Sequence, residues 1–161
     1  ERTIEYTPVY HSANGHVDAT LRLTLHNTAP TSGVDDYVIG NRINEPRGTS
    51  ATHVDVFTKL RVTAFRVDGE DLPYAYSEEL GYSVYSHPVK IPSGGTVELE
   101  YELVGNVGYG DYSFTYRPQP LPTPDVLILD ARDPDGEPIT GYTGQVERRT
   151  VFTADGQSAW R

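Results

Sequence analysis

The stretch that decides the fold is Val97-Glu98-Leu99-Glu100-Tyr101-Glu102-Leu103. Apolar and acidic side chains alternate along it with a period of two, so in an extended backbone one face is dry and the other carries three carboxylates. Val17, Ala19, Leu21, Leu23 and Leu25 repeat the pattern near the amino end. Strands that are dry on one face only belong to antiparallel sheets packed on one side. Strands of a parallel sheet are covered on both faces and read as continuous apolar runs.

Turn chemistry divides the rest of the chain. Asn14-Gly15 lies between two alternating runs, so residues 4–11 are expected to pair with residues 16–26 as a hairpin. Pro8 marks the first of these as an edge strand, since proline has no N–H to give a central ladder. Further strands are expected at 53–59, at 60–67 and at 82–91, the last running across Pro88. Asp68-Gly69 turns a second hairpin toward Leu72, Tyr74 and Tyr76, and Ser93-Gly94-Gly95 turns the chain into the acidic strand. After a flexible connection at 105–110, Tyr112, Phe114 and Tyr116 alternate as the last strand of the main sandwich.

Two segments break the pattern. Residues 28–50 form the longest irregular stretch, with a brief strand expected at Tyr37-Val38-Ile39. Four alternating prolines, Pro118, Pro120, Pro122 and Pro124, impose an extended crossing with few donors. Beyond them 126–129 and 145–152 read as strands, with turns at Pro134-Asp135-Gly136 and Asp155-Gly156.

These elements predict an all-β protein, an antiparallel two-sheet immunoglobulin-like β-sandwich with a C-terminal β extension. The sandwich is expected over residues 1–118. A proline-rich crossing and short β extension, packed on it, is expected over 119–161. A closed barrel is the competing architecture, and uneven strand lengths disfavour it.

Composition narrows function by exclusion. The formal net charge is −10, Lys59 and Lys90 are the only lysines, and Arg148 and Arg149 are the sole adjacent arginines. No basic stripe forms, which argues against nucleic acid as a partner. There is no cysteine and hence no disulfide. No run of 18 apolar residues exists to span a membrane as a helix. The chain also lacks methionine, an initiator included, as expected of a segment cut from a longer precursor.

No constellation for catalysis is apparent, and no enzyme activity or cofactor is expected. A nucleophile needs a base that is itself oriented. The five histidines, His11, His16, His26, His53 and His87, lie in no nucleophile turn, and Gly-x-Ser-x-Gly is absent. His11 and His16 straddle a hairpin, yet the sequence indicates no third ligand, so no metal site is expected. The acid pairs Asp35-Asp36 and Glu78-Glu79 read as solvated loop charge. Asp130, Asp133 and Asp135 have the wrong spacing for a calcium loop and the right one for a turn. Tyrosine is abundant, with 12 residues. Tyr82, Tyr85, Tyr109 and Tyr112 are the candidate ligand-binding residues, because sugar rings stack on exposed aromatics. The competing reading places such rings in the core or in cross-strand pairs.

The motif order Leu21-Arg-Leu-Thr-Leu-His-Asn27-Thr-Ala-Pro30, Gly33, Asp36-Tyr-Val-Ile-Gly40, Val67-Asp-Gly69, Ile91-Pro-Ser-Gly-Gly95 and Tyr116-Arg-Pro-Gln-Pro120 resembles one known family. It is the carboxy-terminal region of actinobacterial membrane-anchored cell-envelope proteins, classed as domain of unknown function 4012. The resemblance runs from about Thr3 to Asp125 and rests on turn and strand signatures. It implies an extracytoplasmic module that follows an amino-terminal membrane anchor and a larger central region. It implies no reaction. The expected role is therefore a non-catalytic spacer or protein-interaction domain. The alternatives are a carbohydrate-binding module using surface tyrosines, and an accessory domain of an envelope hydrolase whose active site lies outside this chain. The expected partner is a protein or a cell-envelope glycan.

Overall fold

The structure, a computed structural model, describes residues 1–40 and 44–159. In chain order the elements are β1 (Arg2–His11), β2 (His16–His26), α1 (Asp36–Ile39), β3 (Ser50–Thr58), β4 (Arg61–Val67), β5 (Glu70–Asp71) and β6 (Ala75–Glu79). They continue with β7 (Tyr82–Ile91), β8 (Thr96–Asn106), β9 (Ser113–Tyr116), β10 (Asp125–Arg132), β11 (Pro138–Val146), β12 (Thr150–Thr153) and β13 (Gly156–Ala159). The fold is all-β, with antiparallel sheets in a sandwich-like arrangement. Among the described residues no helix is long and apolar enough to cross a membrane.

One layer is a seven-stranded sheet of order β11-β10-β1-β2-β8-β4-β5. Two three-stranded sheets, β3-β7-β6 and β13-β12-β9, pack against its inner face. The alternating residues do what their period requires: Val17, Ala19 and Leu23 on β2 and Val97, Leu99, Tyr101 and Leu103 on β8 are buried in one core. That core continues through Tyr6 against Phe114, with ring centroids 4.7 Å apart, and Tyr142 against Phe152 at 5.1 Å. On the other half the Val62 N–H donates to the Tyr85 hydroxyl at 3.1 Å, a polar stitch between layers.

The 14–15 turn builds the predicted hairpin, with His11 opposite His16. Pro8 does not make β1 an edge, which corrects the sequence expectation: β1 lies between β2 and β10. Its parallel ladder with β10 pairs Thr3 through Tyr6, omits Thr7 and Pro8, and resumes at Val9 opposite Arg132. A single missing donor is absorbed by a short lapse in pairing. Other corrections are local. Residues Tyr37, Val38 and Ile39 lie in one helical turn, not a strand, stabilised by Val38 and Ile39 N–H groups donating to the Asp35 carbonyl. Residues 41–43 of the irregular stretch lie outside the described residues. The Asp68-Gly69 hairpin reaches only Arg66 opposite Asp71, after which the chain leaves and β6 pairs with β7 in the other layer. The strand expected at 112–116 is present as β9, and it is not the last of its layer: it pairs with β12. The expected strand at 145–152 is two strands, because Glu147, Arg148 and Arg149 interrupt it.

Tyr101 leaves one debt in the core. Its ring is fully buried and packs on Phe65 at 4.7 Å, while its hydroxyl has no hydrogen-bond partner among the described residues. Burial, reinforced by the charge of Asp55, pushes that hydroxyl well above the ordinary tyrosine range. Replacement of Tyr101 by Phe should therefore raise stability by about 1 kcal/mol, since it removes an unsatisfied buried group and keeps the ring. A rise in the urea midpoint at unchanged slope checks this; a fall would show that the hydroxyl is satisfied in solution.

Candidate functional site

The outward residues of the large sheet form an ordered row of charge. Glu5, Arg22, Glu100, Arg66 and Asp71 stand directly opposite one another across β1, β2, β8, β4 and β5. Arg22 Nη2 donates to Glu100 Oε2 at 2.6 Å and Arg66 Nη1 to Glu100 Oε1 at 2.9 Å, so each carboxylate oxygen of Glu100 holds a different arginine. Arg66 also donates to Glu102 at 2.8 Å, and Arg22 Nε lies 3.3 Å from Glu98. The three glutamates of the opening motif are thus the middle of a network that spans five strands. Opposite charges at opposed positions favour this register, and a slip by one residue would bury the row.

Hydrogen bonding by Arg22 and then Arg66 holds the Glu100 carboxyl below the usual carboxylate range, against the opposing effect of partial burial. A group with a depressed folded pKa contributes stability above its unfolded value, near 4.3, and loses it as pH falls through the folded value. Glu100→Gln should lower stability at pH 7 by roughly 0.5–1 kcal/mol, as expected for a networked but solvent-accessible pair. Its melting temperature should converge on that of the unmodified chain in acid, which thermal unfolding followed from pH 7 downward would check.

A second polar cluster joins distant parts of the chain. Arg2 Nε and Nη2 each donate to one oxygen of Asp125 at 2.7 Å, a bidentate pair, and the Tyr116 hydroxyl donates to the same carboxylate. Asp125 is 1% exposed. Burial alone would lower the Arg2 guanidinium, and Asp125 more than reverses it. Burial also pushes the Tyr116 hydroxyl up, with Asp125 adding to it.

The four candidate tyrosines are not brought together as an exposed row. Tyr85 is 3% and Tyr112 is 5% exposed. Both point inward: Tyr85 packs against Tyr74 and Tyr76, and Tyr112 lies 5.3 Å from Tyr10. Burial pushes the Tyr6 hydroxyl up to about 12 and raises that of Tyr112 as well, so both remain neutral phenols. Tyr82 is half-buried under the ammonium of Lys59, whose Nζ lies 5.6 Å from the ring centroid. Tyr109, at 84%, is the freely exposed member.

Tyr109 stands on a braced loop. The Tyr10 hydroxyl donates to the carbonyls of Gly108 and Gly110 at 2.8 and 3.0 Å, the Val107 N–H donates to the Gly15 carbonyl, and Asn106 Nδ2 donates to the Asn14 carbonyl. The strand registers place this loop at the same end as the β6–β7 turn, where Leu80 is 89% exposed. Leu80 adopts φ of 51°, a left-handed conformation that a leucine rarely takes. Glu1 and the end of β13 lie at the opposite end, on the side of Arg2 and Tyr116.

The chemistry available to these groups is limited. His16 Nε2 and His11 Nε2 lie 3.1 and 3.7 Å from Asp18 Oδ2 on the open face of the hairpin. The carboxylate that the sequence reading missed is therefore present, yet among the described residues no three His, Cys, Asp or Glu side chains are arranged to hold a metal ion. An open groove of about 480 Å³ on the same outer face is lined by Thr7, Val9, Thr20, Arg61, Thr63 and Val104, among others. Asp18 and Glu102 also line it, and the Thr63 hydroxyl there donates to the Glu102 backbone carbonyl at 3.2 Å. No family model matches the chain, and no curated protein matches it.

Proposed function

We propose that the chain is a non-catalytic module of the extracytoplasmic part of a cell-envelope protein, acting as a spacer or protein-interaction domain that presents the end carrying Leu80, Val107 and Tyr109. The observation that carries this reading is the braced loop. Hydrogen bonds from Tyr10 and Asn106 fix residues 107–110 while leaving Val107 and Tyr109 in solvent. Side chains held rigid and dry-surfaced at a sandwich end lose little entropy on contact with a partner. The ionisable groups support the non-catalytic part, since Arg22, Arg66, Glu100 and Asp125 are engaged in cross-strand structure. Envelope placement rests on the resemblance of the 21–30, 91–95 and 116–120 motifs to family 4012.

A photoreactive phenylalanine analogue at position 109, in cells that make the protein, should yield protein adducts of defined mass that the same probe at the outer-face position Thr143 does not. Identical adduct patterns from the two positions would sink the interaction reading. A hydrolytic activity of the chain on envelope polymers, abolished by a point substitution, would sink the non-catalytic one. Glycan binding would declare itself instead as calorimetric heat with envelope polysaccharides that Tyr109→Ala removes.

A further inference from the structure

The strand edges of the molecule differ in how they are defended. β5 is two residues long, β9 and β13 are four each, and β6 ends on Glu78 and Glu79. β11 is nine residues long but starts on Pro138 and is interrupted by Gly141 and Gly144. β3 is also nine residues, Ser-Ala-Thr-His-Val-Asp-Val-Phe-Thr, with no proline, glycine or lysine. It pairs with β7 on one side, and among the described residues no strand pairs with its other side. Ala51, Thr52, His53, Asp55 and Phe57 are exposed, Phe57 to 51%. A long bare edge with an exposed aromatic is a template for another strand.

We propose that this strand is a second copy of β3, paired antiparallel about a two-fold axis centred on Val54, which joins two three-stranded sheets into one. The register follows from the sequence. In a two-fold antiparallel pair, opposed residues share a face, so the axis must pass through a residue and not between two. Centring on Val54 uses all nine residues. It opposes His53 to Asp55 of the second copy, twice over, and sets Phe57 against the small Ala51 of the second copy, also twice. Moving the axis to residue 53 opposes two histidines, and moving it to residue 55 opposes two aspartates. Of these three registers the central one alone sets an imidazole N–H donor against a carboxylate acceptor and an aromatic ring against a small side chain. The pairing runs along the β3 edge and does not depend on the function proposed above.

Sedimentation velocity on the intact chain at low ionic strength, from micromolar to millimolar, should show a concentration-dependent shift from 17.8 kDa toward twice that mass. His53→Asp, which sets the new carboxylate against Asp55 of the second copy and so puts four carboxylates in the seam, should weaken the dimer about tenfold or more. The exchange His53→Asp with Asp55→His restores opposite partners and should restore the dimer. Hydrogen exchange on the unmodified chain supplies a readout that needs no variant, since β3 amides should gain protection as concentration rises. A monomer at every concentration, a dimer indifferent to His53→Asp, a folded exchange variant that stays dissociated, or β3 amides without added protection would each overturn the pairing.

Discussion

Asp125→Ala is expected to lower the free energy of unfolding by about 3 kcal/mol, a large share of what a domain of this size holds. The carboxylate receives both arms of Arg2 and the Tyr116 hydroxyl while itself out of water. Removing it strands a guanidinium that is mostly covered and a phenol whose partner is gone, and leaving an ion unpaired costs more than the pair was worth. The cluster also has a topological role. Arg2 begins β1 and Asp125 begins β10, the parallel pair that joins β10 and β11 to the rest of the large sheet. Its loss should show first as weakened hydrogen-exchange protection along β10 and β11. Thermal unfolding checks the magnitude, with a fall of roughly 6–12 °C expected. Tyr116→Phe should cost only about 1 kcal/mol, because it deletes one neutral donor and strands no charge. A double-mutant cycle separates the two, and equal losses for Asp125→Ala and Tyr116→Phe would show that the ion pair contributes nothing of its own.

What could be read from the sequence followed from local rules. The period of two in 97–103 settled strand, face and class, and the Asn-Gly dipeptide settled the first hairpin, whose turn spans four residues, 12–15, with His11 opposite His16. Pro8 misled because the rule about proline in sheets concerns a donor. A ladder that simply skips Thr7 and Pro8 satisfies it without an edge. Residues 138–144 escaped notice because glycine and threonine leave no apolar period on an edge strand. The charge row was half legible: Arg22 sits on the outward parity of β2, and an acidic strand was evident, but the adjacency of Arg22 and Glu100 needs the pairing of β2 with β8, which brings together residues 78 apart in the chain. Asp125 was beyond reach for the same reason in stronger form, since its partner is 123 residues away. Among the candidate tyrosines, alternation could say that some rings face inward, and only packing against Tyr10 and Tyr74 decided that Tyr112 and Tyr85 are among them.

Gly15→Ala is expected to be the most damaging single-methyl addition on the surface loops, at about 2–3 kcal/mol, from two causes that act together. Gly15 has φ of 72°, where any Cβ is strained. A Cβ there would also lie 2.3 Å from the Gly108 carbonyl carbon and 2.4 Å from its oxygen, which are backbone atoms that no rotamer can move aside. The 12–15 and 107–110 loops would have to part, breaking the Val107 N–H to Gly15 carbonyl bond and withdrawing the carbonyls that hold the Tyr10 hydroxyl. Gly108→Ala provides the control. Its φ of 91° carries similar strain, but nothing lies within 4 Å of its Cβ, so it should cost about 1 kcal/mol and leave the loops together. Thermal melts give the two energies, and proteolysis at Tyr109 reports the parting directly, fast for Gly15→Ala and slow for Gly108→Ala. Equal cleavage of the two variants would mean that the loops do not brace each other. The contact fingerprint offered by Tyr109 would then have no fixed geometry, and the case for this end as the interacting surface would fall with it.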